Sequence, residues 1–371
     1  MLTKDRARRL WLRAQRLDEA APFGTGPEAT RAAVEHLGYV QIDTIHVIER
    51  CHHQILYTRI PAYRREDLHR SQSVDKTVCE YWTHALSYVL TRDLRFFVRA
   101  MKRDWGAWSA WFGTVKVGDM RKVLGRIRRD GPLTIRDIDD DVLVEKDHEW
   151  SSRKPSKRAL QLLFYRGVLT VSARSGMLKT YELLTRHFGW ERLPKPASER
   201  ETVEYLLDRA LRSQGVISLK SLGPMVPSRK VGVRRLIEAR VRRGDLIAVD
   251  IEGVPHWVRP DLLALPLKAN DAVHILSPFD PLVIQRSRLQ QFFGYEHRFE
   301  AYVPKEKRVF GYFSQPVLIG DEIVAVLDLK TDRVRRKLLL QKWTWVSKGA
   351  RRERKRQIEE ALHRFERFQL G

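Results

Sequence analysis

The stretch GYVQIDTIHVIER, residues 38–50, places an amide and a carboxylate two positions apart inside an apolar run, with Ile42 between Gln41 and Asp43. A carboxylate and an amide that face one space can hold a water molecule between them. The carboxylate accepts a proton from the water, and the amide fixes its orientation by donating or accepting a hydrogen bond. The pattern therefore indicates activation of water as the candidate chemistry of this segment.

Secondary structure decides whether Gln41 and Asp43 can serve one site. In a helix, side chains two residues apart point about 200° apart, whereas in a strand they share a face with Cα atoms roughly 7 Å apart. A helix is expected over 27–37, so we expect a strand to follow it and to direct both side chains to one side. The alternative, which spacing alone favours, is structural: Asp43 caps a helix over 44–50 and Gln41 caps a strand edge.

The charge of the chain indicates its partner. Lys and Arg total 69 against 46 Asp and Glu, which gives a net charge of +23 and a pI near 10.2. Nucleic acid is the leading polyanion, because each neutralised phosphate releases counterions and adds affinity. An anionic membrane surface is the alternative, but the basic residues are spread over many segments and form no single basic amphipathic tail. No apolar run approaches the roughly 20 residues of a membrane span.

Two segments of the chain repeat one order of elements. Residues 119–184 show the pattern of a helix, a short apolar segment, a second helix and a hairpin, and residues 199–258 repeat it. The hairpin turns are expected at 175–176 and 252–253, where turn-forming residues interrupt alternating apolar runs. A basic helix followed by a two-stranded wing is the winged-helix order. Its occurrence twice favours winged helices over a pair of ordinary α+β modules.

The basic helices of these two segments carry candidate phosphate contacts, whose expected role is to position the protein on its partner and not to read bases. The candidates are Lys154, Lys157 and Arg158 in the first segment, and Arg234, Arg235, Arg240, Arg242 and Arg243 in the second.

The rest of the chain completes a four-module organisation. A third copy of the helix-rich plan is expected in the first 95 residues, and short β-prone runs broken by Pro, Gly and Asp after Pro260 suggest a small barrel or sheet. The predicted modules are an N-terminal winged helix with the Gln-Ile-Asp motif over 1–115, winged helices over 116–190 and 199–260, and a β-rich domain with a last charged helix over 261–371.

Two loops are further site candidates. SPFDP could place Asp280 in a functional loop, although an Asp flanked by Pro is usually a turn former. Lys305, Lys307 and Arg308 have the composition of a basic hairpin tip. A phosphate or minor-groove contact and a solvated turn are equally compatible with that composition.

Metal and cofactor use are not expected. The cluster of His46, Cys51, His52 and His53 matches no standard zinc spacing, and no CxxC motif occurs. The chain has only two cysteines, which excludes a disulfide framework and is typical of a reducing compartment. Neither GxxxxGK[ST], GxGxxG nor GxSxG is present, so nothing indicates ATP, NAD or a serine nucleophile.

Four motifs together resemble one known family. The run VQIDTI, with EYWTHA at 80–85, LSPFDP at 276–281 and FGYF at 310–313, is similar to the bacterial AlkZ-type DNA glycosylases, and most to their AlkX (YcaQ-like) branch. The similarity extends over nearly the whole chain in order. It implies an α+β fold of three tandem winged helices plus a C-terminal β-rich, barrel-like domain, C-shaped around a DNA cleft.

The resemblance also implies an activity and its residues. Members hydrolyse the N-glycosidic bond of alkylated purines, and this branch acts on interstrand crosslinks, with a Gln–x–Asp motif that corresponds to Gln41 and Asp43. The segment EYWTHALSY would lie near the active site, where Trp82 or His84 contacts DNA; an amphipathic helix that packs its aromatic residues is the alternative. The family pattern has an acidic residue where Ala85 stands, so that acid's role does not transfer to this chain.

The implied chemistry follows from the substrate. Alkylation at N7 makes a purine cationic, so it leaves without protonation and one carboxylate is enough, in contrast to the acid–base pair of ordinary glycosidases. Asp43 would act as general base and stabilise the oxocarbenium-like sugar, and Gln41 would position the water. A purine crosslinked to the opposite strand cannot be extruded freely into a pocket, so an open cleft is expected.

We therefore expect a monofunctional DNA glycosylase without metal or nucleotide cofactor. A covalent lyase mechanism is not expected, because no lysine lies near the Gln-Ile-Asp motif in sequence. Its partner would be double-stranded DNA with alkylated or crosslinked purines, and it would act as a cytoplasmic, nucleoid-associated monomer with no membrane contact. The alternative is a non-catalytic winged-helix regulator that binds DNA, because fold does not fix function.

Overall fold

Two compact units make up the chain. The computed structural model describes residues 1–102, 112–138, 143–146, 152–222, 229–267 and 270–371. One unit combines Met1–Arg64 with Val203–Gly371, and the other is Arg65–Thr202. Both contain helices and strands, as the sequence predicts. In the described parts of the chain, no helix is long and apolar enough to cross a bilayer.

The first 64 residues are mainly helical. Thr3 caps the first helix by accepting a hydrogen bond from the Arg6 N–H at 3.3 Å. The second helix ends at Gly38, whose φ of 79° is left-handed. A β-carbon at Gly38 would collide with the side chain of Arg209, so glycine is needed there for two reasons. The elements are α1 (Lys4–Ala14), α2 (Gly26–Leu37), β1 (Val40–Gln41) and α3 (Cys51–Arg59).

The second unit contains two hairpins and short helices. Its elements are α4 (Arg65–His69), β2 (Val78–Trp82), β3 (Leu86–Leu90), α5 (Val98–Met101), α6 (Val117–Asp130), β4 (Leu133–Thr134), α7 (Pro155–Tyr165), β5 (Leu169–Ser175), β6 (Leu178–Leu183) and α8 (Leu184–Phe188). One π-helical turn over Arg70–Val74 extends α4, and 3₁₀ turns cover Thr91–Phe96 and Ile135–Asp137.

The hairpins of this unit test two expectations. EYWTHALSY is not a helix, because β2 and β3 pair antiparallel with Glu80 opposite Tyr88. The chain from α6 to β6 has the expected order of helix, strand, helix and hairpin, with β6 between β4 and β5 in one sheet. The turn of the β5–β6 hairpin lies one residue later than expected, at 176–177.

Residues from Val203 onward complete the first unit, and the helix that leads into them begins at Glu199. Their elements are α9 (Glu199–Gln214), α10 (Lys230–Arg242), β7 (Ile247–Ile251), β8 (Val254–Val258), α11 (Pro260–Ala264), β9 (Val273–Ile275), α12 (Arg286–Phe293), β10 (Ser314–Ile319), β11 (Glu322–Asp332), β12 (Lys337–Trp345) and α13 (Arg351–Leu370). The β7–β8 turn is where the sequence predicts it. Glu252 and Gly253 have φ of 53° and 78°, the positive pair that a type I′ turn requires.

The C-terminal strands form an open antiparallel sheet. Their order is β12-β11-β10-β9, so within the described residues the strands do not close into a barrel. Of the two forms that the sequence suggested, the sheet is the observed one. The predicted last helix is present as α13, which packs Ile358, Ala361 and Phe365 against apolar residues of the sheet such as Val324 and Leu327.

A buried ion pair joins α3 to the segment that follows β9. The Arg59 and Asp280 side chains are both fully buried. Arg59 Nη1 and Nη2 donate to Asp280 Oδ2 and Oδ1 at 2.7 and 3.0 Å. Arg59 also donates to the backbone and side-chain oxygens of Gln15, each at 2.9 Å, and Asp280 Oδ1 accepts from the Leu282 N–H at 3.0 Å. Asp280 therefore holds two segments together and presents no carboxylate at a surface.

Candidate active site

The Gln-Ile-Asp motif lies where regular structure ends. Strand β1 covers only Val40–Gln41, so Asp43 lies beyond it and the alternation of a strand does not place the Asp43 side chain. Gln41 and Ile42 are both buried, whereas Asp43 is half-buried. The expectation of one continuous strand through Asp43 is wrong because the backbone leaves the sheet there. That Gln41 and Asp43 share a site stays a prediction.

Asp43 does not cap a helix. Residues 42–46 are irregular, and the next helix, α3, begins only at Cys51. The Ile45 N–H donates to Asp43 Oδ1 at 2.8 Å, so the carboxylate closes a tight local turn of the kind that Asp often forms. The second carboxylate oxygen is not engaged by this bond. The structural alternative for Asp43 is thus wrong about the helix, although the side chain does shape the backbone.

Partial burial makes the Asp43 carboxylate a stronger base. Desolvation raises its pKa above the ordinary value, and hydrogen bonds from the backbone N–H groups of Ile45 and Thr44 offset part of that rise. A carboxylate with a raised pKa accepts a proton from water more readily. The electrostatics are therefore those expected of a general base.

Cys51 is a neutral neighbour of this carboxylate. Burial, followed by the nearby charge of Asp43, raises the pKa of the Cys51 thiol well above its ordinary value. The thiol donates to the backbone oxygen of Gln41 at 3.1 Å, which fixes the start of α3 against β1. Cys51 thus serves as a structural donor, since a thiol in this state is not a nucleophile.

Residues 42–50, which we call the Asp43 loop, are held by the end of strand β11. Arg333 Nη2 donates to the backbone oxygens of His46 and Ile48, both at 2.9 Å. The Thr331 N–H donates to the Val47 oxygen at 2.8 Å. Three consecutive carbonyl groups of an irregular loop are therefore satisfied by residues almost 290 positions away. Sequence reasoning missed Arg333, because no local pattern marks such a partner.

The Asp43 loop contains a second carboxylate, Glu49. Glu49 is buried and precedes α3. Its Oε1 accepts from the Arg50 N–H at 2.8 Å and lies 3.5 Å from His46 Nε2. Glu49 is thus engaged within the loop, which leaves Asp43 as its more exposed carboxylate.

The unit formed by Met1–Arg64 and Val203–Gly371 also contains the predicted basic loop at 305–308. Lys305 and Lys307 are exposed in a 3₁₀ turn inside the connection between α12 and β10, and not at the tip of a hairpin. Arg308 Nε donates to the Val303 oxygen at 2.7 Å, and its guanidinium lies 5.1 Å from the centre of the Tyr312 ring.

The predicted phosphate contacts of α10 are partly exposed and partly paired. On α10, Arg234, Arg235 and Arg242 are exposed. Arg240 bonds to Asp208, and Arg243 Nε bonds to Asp245 at 2.9 Å.

In the Arg65–Thr202 unit, Trp82 ends strand β2 and is 45% exposed, with its ring edge against Tyr165 at 5.7 Å. His84 is half-buried in the turn that follows. Glu80, in contrast, is buried and bonded to Arg174, with a 2.7 Å bond between Oε2 and Nη2. The hairpin therefore exposes Trp82, while Glu80 joins the middle of β2 to Arg174 on β5.

The basic helix α7 of the same unit presents only some of its predicted contacts. Lys154 and Lys157 are exposed. Arg158 is buried, and its Nη1 donates to the Glu145 oxygen at 3.2 Å. Because Arg158 is buried, its guanidinium is not available to a phosphate at the surface.

A match to a family model shows which protein family the chain belongs to. The model described as DNA glycosylase AlkZ-like matches residues 34–368, which include the Gln-Ile-Asp motif and parts of both units. The chain belongs to the AlkZ-like DNA glycosylase family. The family resemblance read from the four motifs is thereby confirmed.

A solved structure agrees with this AlkZ-like membership. The Streptomyces sahachiroi DNA glycosylase AlkZ superimposes with a TM-score of 0.64 over 99% of this chain and 98% of that one, at 17% sequence identity. At this identity the likeness shows a shared fold. An AlkZ-like DNA glycosylase is a hydrolase whose substrate is DNA, which agrees with the basic composition of the chain.

In this AlkZ-like glycosylase, His53 contacts both His52 and Tyr63. His53 Nδ1 lies 2.7 Å from the Tyr63 hydroxyl, and the rings of His52 and His53 are 4.2 Å apart. Across the ranges that the structure describes, no group of three or more His, Cys, Asp or Glu side chains could hold a metal ion.

Proposed function

We propose that this member of the family is a monofunctional DNA glycosylase of the AlkX type, which releases N7-alkylated purines and unhooks interstrand crosslinks. The observation that carries the proposal is Asp43: a half-buried carboxylate with a raised pKa, two residues from Gln41, within the span that matches the family. No other carboxylate of the Asp43 loop combines these properties, since Glu49 is buried and engaged.

The proposed reaction needs a single general base and no general acid. An N7-alkylated purine is already cationic and departs as a neutral base when its bond to C1′ breaks. Asp43 accepts a proton from the water that attacks C1′, and its negative charge stabilises the oxocarbenium-like sugar. Gln41 orients that water. The products are the free alkylated base and an abasic site.

The proposed architecture is three winged helices with a β-rich domain, within the predicted bounds 1–115, 116–190, 199–260 and 261–371. The order from α6 to β6 supports the second module, and the order from α9 to β8 supports the third. On this basis the substrate is double-stranded DNA, which a monomer engages through an open cleft in the cytoplasm.

The direct test uses two duplexes. One carries a single 7-methylguanine, and the other carries a nitrogen-mustard crosslink between guanines. After incubation with the protein, hot alkali should cut the first at the lesion, because alkali breaks DNA at abasic sites. The strands of the second should separate under denaturing conditions, because hydrolysis of one N-glycosidic bond frees the crosslink from that strand. An undamaged duplex should stay intact. Binding without any cleavage would support the non-catalytic regulator instead.

The Asp43 loop provides a second prediction within this proposal. Arg333→Ala removes the donor to the His46 and Ile48 oxygens. A small displacement of a catalytic group can cost up to about a hundredfold in rate, so we expect single-turnover excision to slow roughly ten- to a hundredfold while the Kd for DNA changes little. Arg333→Lys, which keeps a donor, should recover part of the rate.

The matched control is Arg335→Ala. Arg335 is two residues further on, its side chain is 80% exposed, and its Nε lies 4.0 Å from Asp332 Oδ2. Its rate should stay within twofold of the parent protein. Equal effects of the two substitutions, or a loss confined to DNA affinity, would show that Arg333 does not position the loop.

A further inference from the structure

A cleft beside the last helix has the composition of an anion site. It has a volume of about 600 Å³ and lies between the end of α3, the turn that follows it, strand β9 and the last two turns of α13. We call it the α13 cleft. Its side walls include Tyr57, Thr58 and His274, and its rim carries Arg364 and Arg367.

The floor of the α13 cleft is aromatic and closely packed. The rings of Tyr57 and Phe368 stack with centres 4.1 Å apart and planes 7° apart. Phe365 and Tyr63 beneath them are buried. Stacking against Phe368 holds the Tyr57 ring, whose hydroxyl belongs to the same cleft.

The two rim arginines have no acidic partner among the described residues. Arg364 and Arg367 are exposed and lie three positions apart, so they project from one side of α13. The acids nearest to them in sequence are engaged elsewhere: Glu360 bonds to Arg356 at 2.9 Å, and Glu366 accepts from the Leu338 N–H at 2.8 Å. Two guanidinium groups therefore lie together without compensation.

The charged side chains among the described residues that line the α13 cleft are all positive. Arg364 and Arg367 both act on the Tyr57 hydroxyl, lowering its pKa against the larger effect of burial, which raises it. All three residues line the same cleft, and the raised pKa keeps the Tyr57 hydroxyl a protonated donor at neutral pH. Of the described residues that line the cleft, none is acidic. Burial lowers the pKa of His274 to about 4, so His274 adds no charge.

We propose that the α13 cleft binds a phosphate diester of the DNA backbone through Arg364, Arg367 and the Tyr57 hydroxyl. The inference rests on the proposed function in that the ligand is duplex DNA. Paired guanidinium groups suit the geometry of phosphate oxygens, and such contacts position the protein without reading sequence. Ile45 and Val47 of the Asp43 loop pack in the same apolar cluster as Tyr57 and Phe368. The Asp43 loop and the floor of the α13 cleft thus pack against one apolar core.

The test compares the salt dependence of binding for two double variants. Arg364→Gln/Arg367→Gln removes both rim charges, and Arg351→Gln/Arg352→Gln removes two exposed arginines from the other end of the same helix. Gln is a good helix former, so α13 should persist in both. Affinity for an undamaged duplex is measured by fluorescence anisotropy over a series of KCl concentrations.

The rim variant should bind at least about tenfold more weakly at low salt. Each lost phosphate contact changes the slope of log K against log [salt] by about 0.9, so the loss of this one contact should make the slope shallower by about 1. Tyr57→Phe should weaken binding by a few-fold without changing the slope. Unchanged affinity and slope, or the same change in the Arg351/Arg352 control, would overturn the proposal.

Excision is measured separately, at saturating DNA. The Arg351→Gln/Arg352→Gln control should release 7-methylguanine within about twofold of the parent rate, because neither residue lines the α13 cleft. A protein that binds with the expected slopes but never excises would refute the proposed activity and leave the phosphate site standing.

Discussion

Asp43→Asn is expected to abolish release of 7-methylguanine while DNA affinity stays within severalfold. Asparagine has nearly the shape of aspartate and can still accept a hydrogen bond from the Ile45 N–H, so the turn at Asp43 should persist. The amide cannot accept the proton of the attacking water, and it supplies no negative charge to the developing oxocarbenium. General bases alone contribute about 10²–10⁴-fold, so single-turnover excision should fall at least a thousandfold.

The pH dependence of the same reaction provides a readout that a folding defect would not imitate. The parent protein should lose activity as the pH falls through the raised pKa of Asp43, because a protonated carboxyl cannot accept a proton. Any residual rate of Asp43→Asn should lack this acidic decline. Asp5→Asn, at a carboxylate that is 72% exposed on α1, should keep both the rate and the decline. Excision that survives Asp43→Asn would refute the assignment of the base.

Asp280→Ala is expected to destabilise the unit formed by Met1–Arg64 and Val203–Gly371 by about 3–5 kcal/mol, because it leaves a buried guanidinium without its carboxylate. Arg59 would keep its bonds to the two Gln15 oxygens, which cannot neutralise its charge. Urea denaturation followed by tryptophan fluorescence should show a lower midpoint. The control is Asp245→Ala, which breaks an exposed pair and should cost no more than about 1 kcal/mol.

A double variant separates lost charge from lost packing at this pair. Replacing both Arg59 and Asp280 with leucine removes the two buried charges together, so its cost should be smaller than the sum of the two single leucine variants. If Asp280→Ala were as mild as Asp245→Ala, the pair would contribute little to the stability of the unit. The role of Asp280 as a link between two segments would then be refuted.

Local features of the fold were predictable from the sequence. The β7–β8 turn was, because Glu252-Gly253 lies between alternating runs and glycine accepts a positive φ at little cost. The helix before the Gln-Ile-Asp motif was also predictable, from its apolar periodicity and its terminal Gly38. The hairpin over residues 78–90 was not uniquely predictable. Four of the five residues of β2 are buried, so alternation gives no signal there.

What the sequence could not provide are the long-range partners of the site. The sequence of the Asp43 loop shows no helix or strand periodicity. Its backbone is held by Arg333 and Thr331 and not by the regular hydrogen bonds of a helix or sheet. Arg59 and Asp280 lie 221 positions apart, so the turn-forming context of Asp280 was visible and its burial against Arg59 was not. The motif predicts Gln41 and Asp43 as the candidate groups, and contacts distant in sequence determine how the backbone around Asp43 is held.

The division of one unit into two separated segments affects how the enzyme matures. As the chain leaves the ribosome, residues 65–202 have all of their own contacts available before strand β11 has been made, and they can fold early. Residues 1–64, which bear Asp43, have to wait for Thr331 and Arg333 to emerge. A nascent or prematurely terminated polypeptide thus lacks the donors that hold the Asp43 loop, because translation reaches Thr331 and Arg333 late.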